Sequence, residues 1–278
     1  MEHEEKGMIT EPGKTGTGTI LDRIAEYARE RVAQAKERLP EADLRRMAES
    51  LPKHPGRFEQ ALSGTNISFI CECKKASPSK GVIAEYFPYL HIAREYEAAG
   101  ADAISVLTEP AWFLGSEEYL REIAEEVRIP CLRKDFTVDP YMIYEAKLLG
   151  ASAVLLIVSL LDEAEIREYL RICGSLGLSA LTEAHDEQEI EIALRAGAGI
   201  IGVNNRNLKD FTVDTGNSRR LRSLVPEGTL FVAESGVRTA EDVAALREAG
   251  VDAVLVGESL MRAPDIRAKL AELRGEWI

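Results

Sequence analysis

The chain has 278 residues, 45% of them hydrophobic, and a formal net charge of -13 from 47 acidic and 34 basic residues. That length suits one α/β domain with a sizeable core, and the negative excess excludes a general affinity for nucleic acid or anionic membranes. A small anionic ligand stays admissible, because the local placement of positive charge decides that.

Residues 1–18 read as a flexible tail, polar and rich in Gly and Thr. Met1–Ile20 has no apolar core, which excludes a signal peptide or anchor, and no later stretch reaches the roughly 18 apolar residues of a membrane span. The cysteines Cys71, Cys73, Cys131 and Cys173 are too few for a disulfide framework and wrongly spaced for paired zinc ligands, so a reducing cytoplasm is the expected compartment.

The first predicted elements are helices, at Ile20–Arg38, with Leu21, Ile24, Tyr27, Ala28 and Val32 on one face, and at Glu41–Leu51. They form an extension, residues 19–63, packed on a body of residues 64–278. From Ser68 onward eight short apolar runs follow: SFICEC, DAISVL, PCLRK, SAVLLIV, LSALT, GIIGVN, TLFVA and VDAVLV. Such runs suit strands buried on both faces of a parallel sheet.

Helix-sized segments separate the runs. Their starts carry caps at Ser116, Asp162 with Glu165, Asp186 with Glu189, and Thr239 with Asp242. Their ends carry Gly100, Gly150, Gly177, Gly197 and Gly250, each directly before a strand. Eight strand-helix units in strict alternation predict a closed (β/α)8 TIM barrel with an N-terminal helical extension. The alternative, an open doubly wound sheet, lacks the Gly-x-Gly-x-x-Gly expected after its first strand.

Charged and polar residues gather at the C-terminal ends of these strands. Glu72 and Lys74 end the first, Lys134 the third, Glu183 the fifth, Asn204 and Arg206 the sixth, and Glu234 the seventh. Any one of them alone reads equally well as a surface ion pair. Five strands ending this way point to the barrel rim, where active sites lie. Period-two alternation turns Glu72 and Lys74 one way and Cys71 and Cys73 the other, so the cysteines are expected to pack beneath helices rather than bind metal.

Gly236 and Gly257, in AESGV and LVGES after the seventh and eighth strands, allow backbone N–H groups to approach a phosphate. Phe113 and Phe136 lie where they line a pocket for a flat ring or simply pack loops. Of the histidines, His3 is in the tail, His54 in a loop and His91 on a helix. His185, just beyond Glu183, is expected to face the other way, which disfavours a histidine base.

The segment Glu72-Cys73-Lys74-Lys75-Ala76-Ser77-Pro78-Ser79-Lys80-Gly81 resembles the E-x-K-x-x-S-P-S-x-G signature of the indole-3-glycerol-phosphate synthase family. TILDRI, which precedes it at Thr19, and LTEPAWFLGS, LRKDF, TEAH, NNRNL, AESG and VGESLM, which come after it, all stand in family order, so the resemblance covers nearly the whole chain. It implies ring closure of 1-(2-carboxyphenylamino)-1-deoxyribulose 5-phosphate to indole-3-glycerol phosphate, with loss of carbon dioxide and water and without a metal or organic cofactor. It also implies a monomer, with this phosphorylated anthranilate derivative as its partner.

By the same resemblance Lys134 is the general acid on the carbonyl and Glu183 acts in the proton removal that eliminates water. Lys74 holds the substrate carboxylate and shares acid duty, while Glu72 and Asn204 support dehydration. Ser77, Ser235, Gly236, Gly257 and Glu258 surround the phosphate, Glu258 chiefly through its backbone. Arg206, Glu234, Leu155 and Leu255 complete the pocket, with Phe113 and Phe136 against the ring.

The departures are Cys71, Cys73, Thr182 and Ala184, which bear on packing; the tail is longer than the family needs, and no fused isomerase is expected after Ile278. The rival readings are another phosphate-binding barrel and a non-catalytic one. The first would be a phosphoribosyl isomerase or an aldolase using Lys134 as a Schiff base. The second would be expected to have lost one of Glu72, Lys74, Lys134, Glu183 or Asn204.

Overall fold

The computed structural model describes residues 16–207 and 210–276, so the expected tail, His3 included, lies outside them except for residues 16–18. Eight parallel strands close into a barrel in chain order. They are β1 (Ser68–Cys73), β2 (Ala103–Leu107), β3 (Cys131–Lys134), β4 (Ala153–Ile157), β5 (Ser179–Ala184), β6 (Ile200–Asn204), β7 (Leu230–Glu234) and β8 (Ala253–Val256). Closure comes from β8 returning to β1, with Ser68 opposite Ala253 and Cys71 opposite Val256. The strands are buried almost throughout because one face fills the barrel and the other lies under helices. Strand β5 runs two residues beyond its predicted end, which puts Glu183 inside the ladder.

Among the described residues, three helices precede β1. The first, α1 (Ile20–Arg38), has its predicted bounds, and α2 (Glu41–Ser50) stops one residue early. The unanticipated α3 (Arg57–Leu62) buries Phe58 and Leu62. Its Ala61 carbonyl accepts from Ser68 Oγ at 3.3 Å, and its Glu59 carboxylate accepts from the hydroxyl of Ser179. Those serines open β1 and β5, so α3 covers the N-terminal opening of the barrel.

The remaining helices are α4 (Tyr89–Ala98), α5 (Glu117–Glu126), α6 (Pro140–Leu148), α7 (Glu163–Leu176), α8 (Glu187–Ala196), α9 (Gly216–Leu221), α10 (Ala240–Glu248), α11 (Glu258–Met261) and α12 (Ile266–Arg274). The five junction glycines all have positive φ, +70 to +96°. Asp162 with Glu165 and Thr239 with Asp242 form reciprocal capping boxes. Asp186 also accepts from the Glu189 backbone at 2.9 Å, but the Glu189 side chain turns instead to His185.

Helix α1 lies against the C-terminal rim. Its Arg31 pairs with Asp135 at 2.7 Å and its Lys36 with Asp139 at 2.8 Å, while Tyr141 Oη donates to the carbonyls of Ala35 and Leu39. Cys71 and Cys73 are buried opposite the barrel interior, and burial pushes both thiols well above their ordinary range. Among the described residues, no helix is long and apolar enough to cross a membrane.

Candidate active site

The parity of each strand selects which side chains reach the barrel interior, and at the C-terminal rim these are charged. Glu72 Oε1 accepts from Lys74 Nζ at 2.6 Å, and its Oε2 accepts from Ser105 Oγ of β2 at 3.2 Å. Lys134 Nζ donates across the barrel to Glu234 Oε2 at 2.6 Å and to Glu183 Oε2 at 3.1 Å. Asn204 Nδ2 donates to the other Glu183 oxygen at 3.1 Å, and Asn204 Oδ1 accepts from the Arg206 backbone at 3.0 Å.

Two glycines make room for this cluster. A Cβ on Gly202 would collide with Glu234 Oε1, and one on Gly257 would come within 2.7 Å of Glu72 Oε1 and 3.0 Å of Lys74 Nζ. Small residues at these points let the charged groups approach the sheet backbone.

The cluster pushes its members toward different protonation states. Burial opposes the charge of Lys134, but the carboxylates of Glu234, Glu183 and Glu72 outweigh it and keep the ammonium protonated well above its usual range. Burial also opposes ionisation of Glu183, yet Lys134, His185 and the Asn204 amide hold its carboxyl below the usual value. For Glu234, burial and repulsion from Glu183 and Glu72 prevail over the attraction of Lys134 and push it up to about 7. Its Oε1 is buried without a hydrogen-bond partner. An ionised base, a charged acid and a carboxyl that titrates near neutrality thus share one rim.

At the ends of β7 and β8 the backbone takes over. Ser235 adopts φ +68° and Gly236 φ +91°, a segment braced by Asn205, whose Nδ2 donates to the Ser235 carbonyl at 3.1 Å. Strained non-glycine backbone of this kind concentrates at functional sites. Glu258 opens α11 with its carboxylate turned to Arg262 Nε at 3.2 Å and Lys80 at 3.9 Å. Ser77 sits on a short antiparallel pair with Gly81 after β1, and Arg206 Nη1 donates to the Phe211 carbonyl at 3.2 Å. Phe113 and Phe136 pack together with centroids 6.0 Å apart.

All sixteen residues singled out from the sequence line one cleft of about 470 Å³. Leu155 of β4 and Leu255 of β8 form part of its apolar wall. Ile20, Leu21 and Ile24 of α1 add to that wall, and Arg238, Arg262 and Lys269 bring positive charge to it. Among the described residues, no group of three or more His, Cys, Asp or Glu is arranged to hold a metal ion.

The sequence profile described as indole-3-glycerol phosphate synthase matches residues 21–273. The chain belongs to the indole-3-glycerol phosphate synthase family. It is 56% identical to the indole-3-glycerol phosphate synthase of Ruminiclostridium cellulolyticum, over 92% of this chain and 99% of the relative. Identity to the enzyme of that name from Lachnoclostridium phytofermentans is 49%, over 92% and 98%. The fold alone is shared with 3-hexulose-6-phosphate synthase from Salmonella typhimurium, at a TM-score of 0.61 and 14% identity, covering 76% of this chain and 98% of that one.

Several residues that organise this synthase-family site escaped the sequence reading. His185 was expected to face away from Glu183. It lies two residues further along, on the same side, and its Nε2 is 3.4 Å from Glu183 Oε1. Glu109 is fully buried and accepts from the backbone N–H groups of Ala111, Trp112 and Phe113 at 2.7–3.0 Å, which fixes the loop presenting Phe113. Arg133 and Asp135 flank Lys134 and form a separate ion network beneath α1. Only the LRKDF segment signalled that pair.

Proposed function

We propose that this cleft closes the indole ring of 1-(2-carboxyphenylamino)-1-deoxyribulose 5-phosphate by lysine and glutamate acid-base catalysis. The observation that carries the reading is the Lys134 ammonium, held between Glu183 and Glu234 where a substrate carbonyl would enter. Lys134 delivers a proton to the carbonyl oxygen as the carboxylate-bearing ring carbon attacks the carbonyl carbon. The ring carboxylate, held by Lys74, leaves as carbon dioxide, and its bonding electrons restore aromaticity. The new hydroxyl leaves as water on a proton from a lysine, with Lys74 sharing this duty, while Glu183 takes the proton lost from the substrate. Glu72 and Asn204 keep Lys74 and Glu183 in place for that step.

Ser77, Ser235, Gly236, Gly257 and the backbone of Glu258 receive the phosphate. Phe113 and Phe136 face the aromatic ring, and Arg206, Glu234, Leu155 and Leu255 close the pocket. Residues 19–63 act as an extension packed on a single barrel body of residues 64–278, and the enzyme works as a cytoplasmic monomer. Support for the reading comes from family membership together with the convergence of acid, base and apolar wall in one cleft.

The test is growth of indole fluorescence from the carboxyphenylamino-deoxyribulose phosphate with purified protein in EDTA. Lys134→Ala is expected to lower kcat by about 10²–10⁴-fold. Full activity in that variant would remove Lys134 from the mechanism, and a folded wild type giving no signal would sink the ring-closure assignment.

A further inference from the structure

On the side of Glu183 away from Lys134, outside the cleft lining, stands a group that no step above uses. The imidazole of His185 is 18% exposed, with Nδ1 3.0 Å from Glu189 Oε2 and 3.3 Å from Ser159 Oγ. Ser159 Oγ donates to Glu189 Oε1 at 2.6 Å, and the His185 backbone N–H donates to Glu189 Oε2 at 2.7 Å. An ionised carboxylate only accepts, so Nδ1 carries its hydrogen toward Glu189. Nε2 then faces Glu183 Oε1 at 3.4 Å, buried and without a hydrogen-bond partner.

A neutral imidazole held this way would set a nitrogen lone pair against a carboxylate oxygen in a poorly solvated place. The contact becomes favourable only with a proton between the two atoms, and such a bond shortens as the complex tightens. Oε1 of Glu183 already accepts from Asn204, and Oε2 faces Lys134.

We propose that His185 is a positioning residue for Glu183: as an imidazolium oriented by Glu189 and Ser159, it donates from Nε2 to Oε1 and leaves Oε2 as the oxygen that works on substrate. The proposal rests on the reading that Glu183 removes the substrate proton. Several groups face His185, which follows β5: Ser159 after β4, Glu183 of β5, Glu189 from α8 and Glu234 from β7, with Asn217 of α9 donating to its carbonyl at 3.2 Å. Lys134 lies beyond Glu183 and bonds only Oε2 among its oxygens. Burial draws the imidazole toward neutrality, but Glu189, Glu183 and Glu234 overcome it and raise its proton affinity above the usual histidine value. As pH rises through that value Nε2 loses its proton, Glu183 loses a donor, and kcat declines.

The experiment measures kcat and KM from about pH 5.5 to about 9 for wild type, His185→Gln, Glu189→Gln and Glu183→Gln, with ¹⁵N-histidine NMR on the same intact chains. His185→Gln is expected to lower kcat about tenfold with KM nearly unchanged, and to lack the alkaline decline of wild type. Glu189→Gln keeps the imidazole and moves that decline to lower pH. In the NMR spectra wild-type Nε2 is protonated at pH 6, and its titration moves down in Glu183→Gln. Wild-type and His185→Gln profiles of the same shape, with Glu183→Gln inactive, overturn this proposal alone, as does an Nε2 that stays unprotonated at pH 6. Full kcat in Glu183→Gln removes the base assignment itself, and this proposal with it.

Discussion

Two adjacent residues of β3, Arg133 and Lys134, bury a cation on opposite faces of the same strand. Arg133 is 1% exposed and spends its donors on Glu145 at 2.7 Å, Glu117 at 2.8 Å, the Met142 carbonyl at 3.1 Å and Thr108 Oγ1 at 3.3 Å. Asp135 completes the network by accepting from Arg31, Thr108 and the Phe136 backbone. Among the described residues Lys134 bonds directly to two carboxylates, one of which keeps an unpaired oxygen, and its ammonium opens onto the cleft. Burial of charge therefore does not distinguish a structural site from a reactive one. What distinguishes them is unspent hydrogen-bonding capacity beside a cavity large enough for a substrate.

The sharpest way to break the comparison is to truncate each cation in turn. Lys134→Ala is expected to give the loss of kcat stated above with the fold intact. Arg133→Ala leaves Glu145 and Glu117 without their partner and is expected to destabilise the protein by about 3–5 kcal/mol. Urea unfolding followed by circular dichroism measures that loss, and an unchanged midpoint would mean that the network contributes little.

A smaller effect separates the two sites by pH. Glu234 has its folded-state value raised to about 7 from 4.5, so the folded form holds the extra proton and the stability this group contributes is lost as pH rises across that window. The stability of Glu234→Gln relative to wild type is accordingly expected to grow between pH 4.5 and 7, whereas Asp135 of the Arg133 network, held below its ordinary value by Arg31 and Arg133 against the effect of burial, stays ionised across that window, so the relative stability of Asp135→Asn hardly changes there. Urea midpoints at the two ends of the window decide this, and a difference that does not change with pH counts against the shift.

The smallest effect concerns Thr182, whose buried Oγ1 lacks a partner. Thr182→Val is expected to raise stability by about 1 kcal/mol with kcat unchanged. A lower thermal midpoint would show that the hydroxyl is satisfied after all.

The strands were legible because burial on both faces writes an unbroken Val, Ile, Leu and Ala signature, and because Ser116, Asp162 and Thr239 mark where the intervening chain turns helical. Helix α3 was not, since six residues are too few to display a 3.6-residue period. The rim charges were legible from strand ends and parity, and the family resemblance attached roles to them. Which of them meet was not legible. Lys134 reaches Glu234 because the closed barrel sets two non-neighbouring strands facing each other, so that their inward side chains meet at 2.6 Å, a pairing that local sequence does not encode. Glu109 stayed hidden because its partners are backbone N–H groups, which every residue except proline offers. Glu189 looked like half of a capping box until its side chain was seen to hold His185 instead.

The pairing of β1 with β8 joins the first and last strands of the barrel, and Gly257 abuts Glu72 and Lys74 at that seam. During translation this half of the site has no counterpart until the eighth strand has left the ribosomal exit tunnel. Until then β1 and β7 are bare edges able to recruit strands from neighbouring nascent chains. A chain cut short before the eighth strand is therefore expected to be inactive and prone to aggregate rather than to be a slow enzyme.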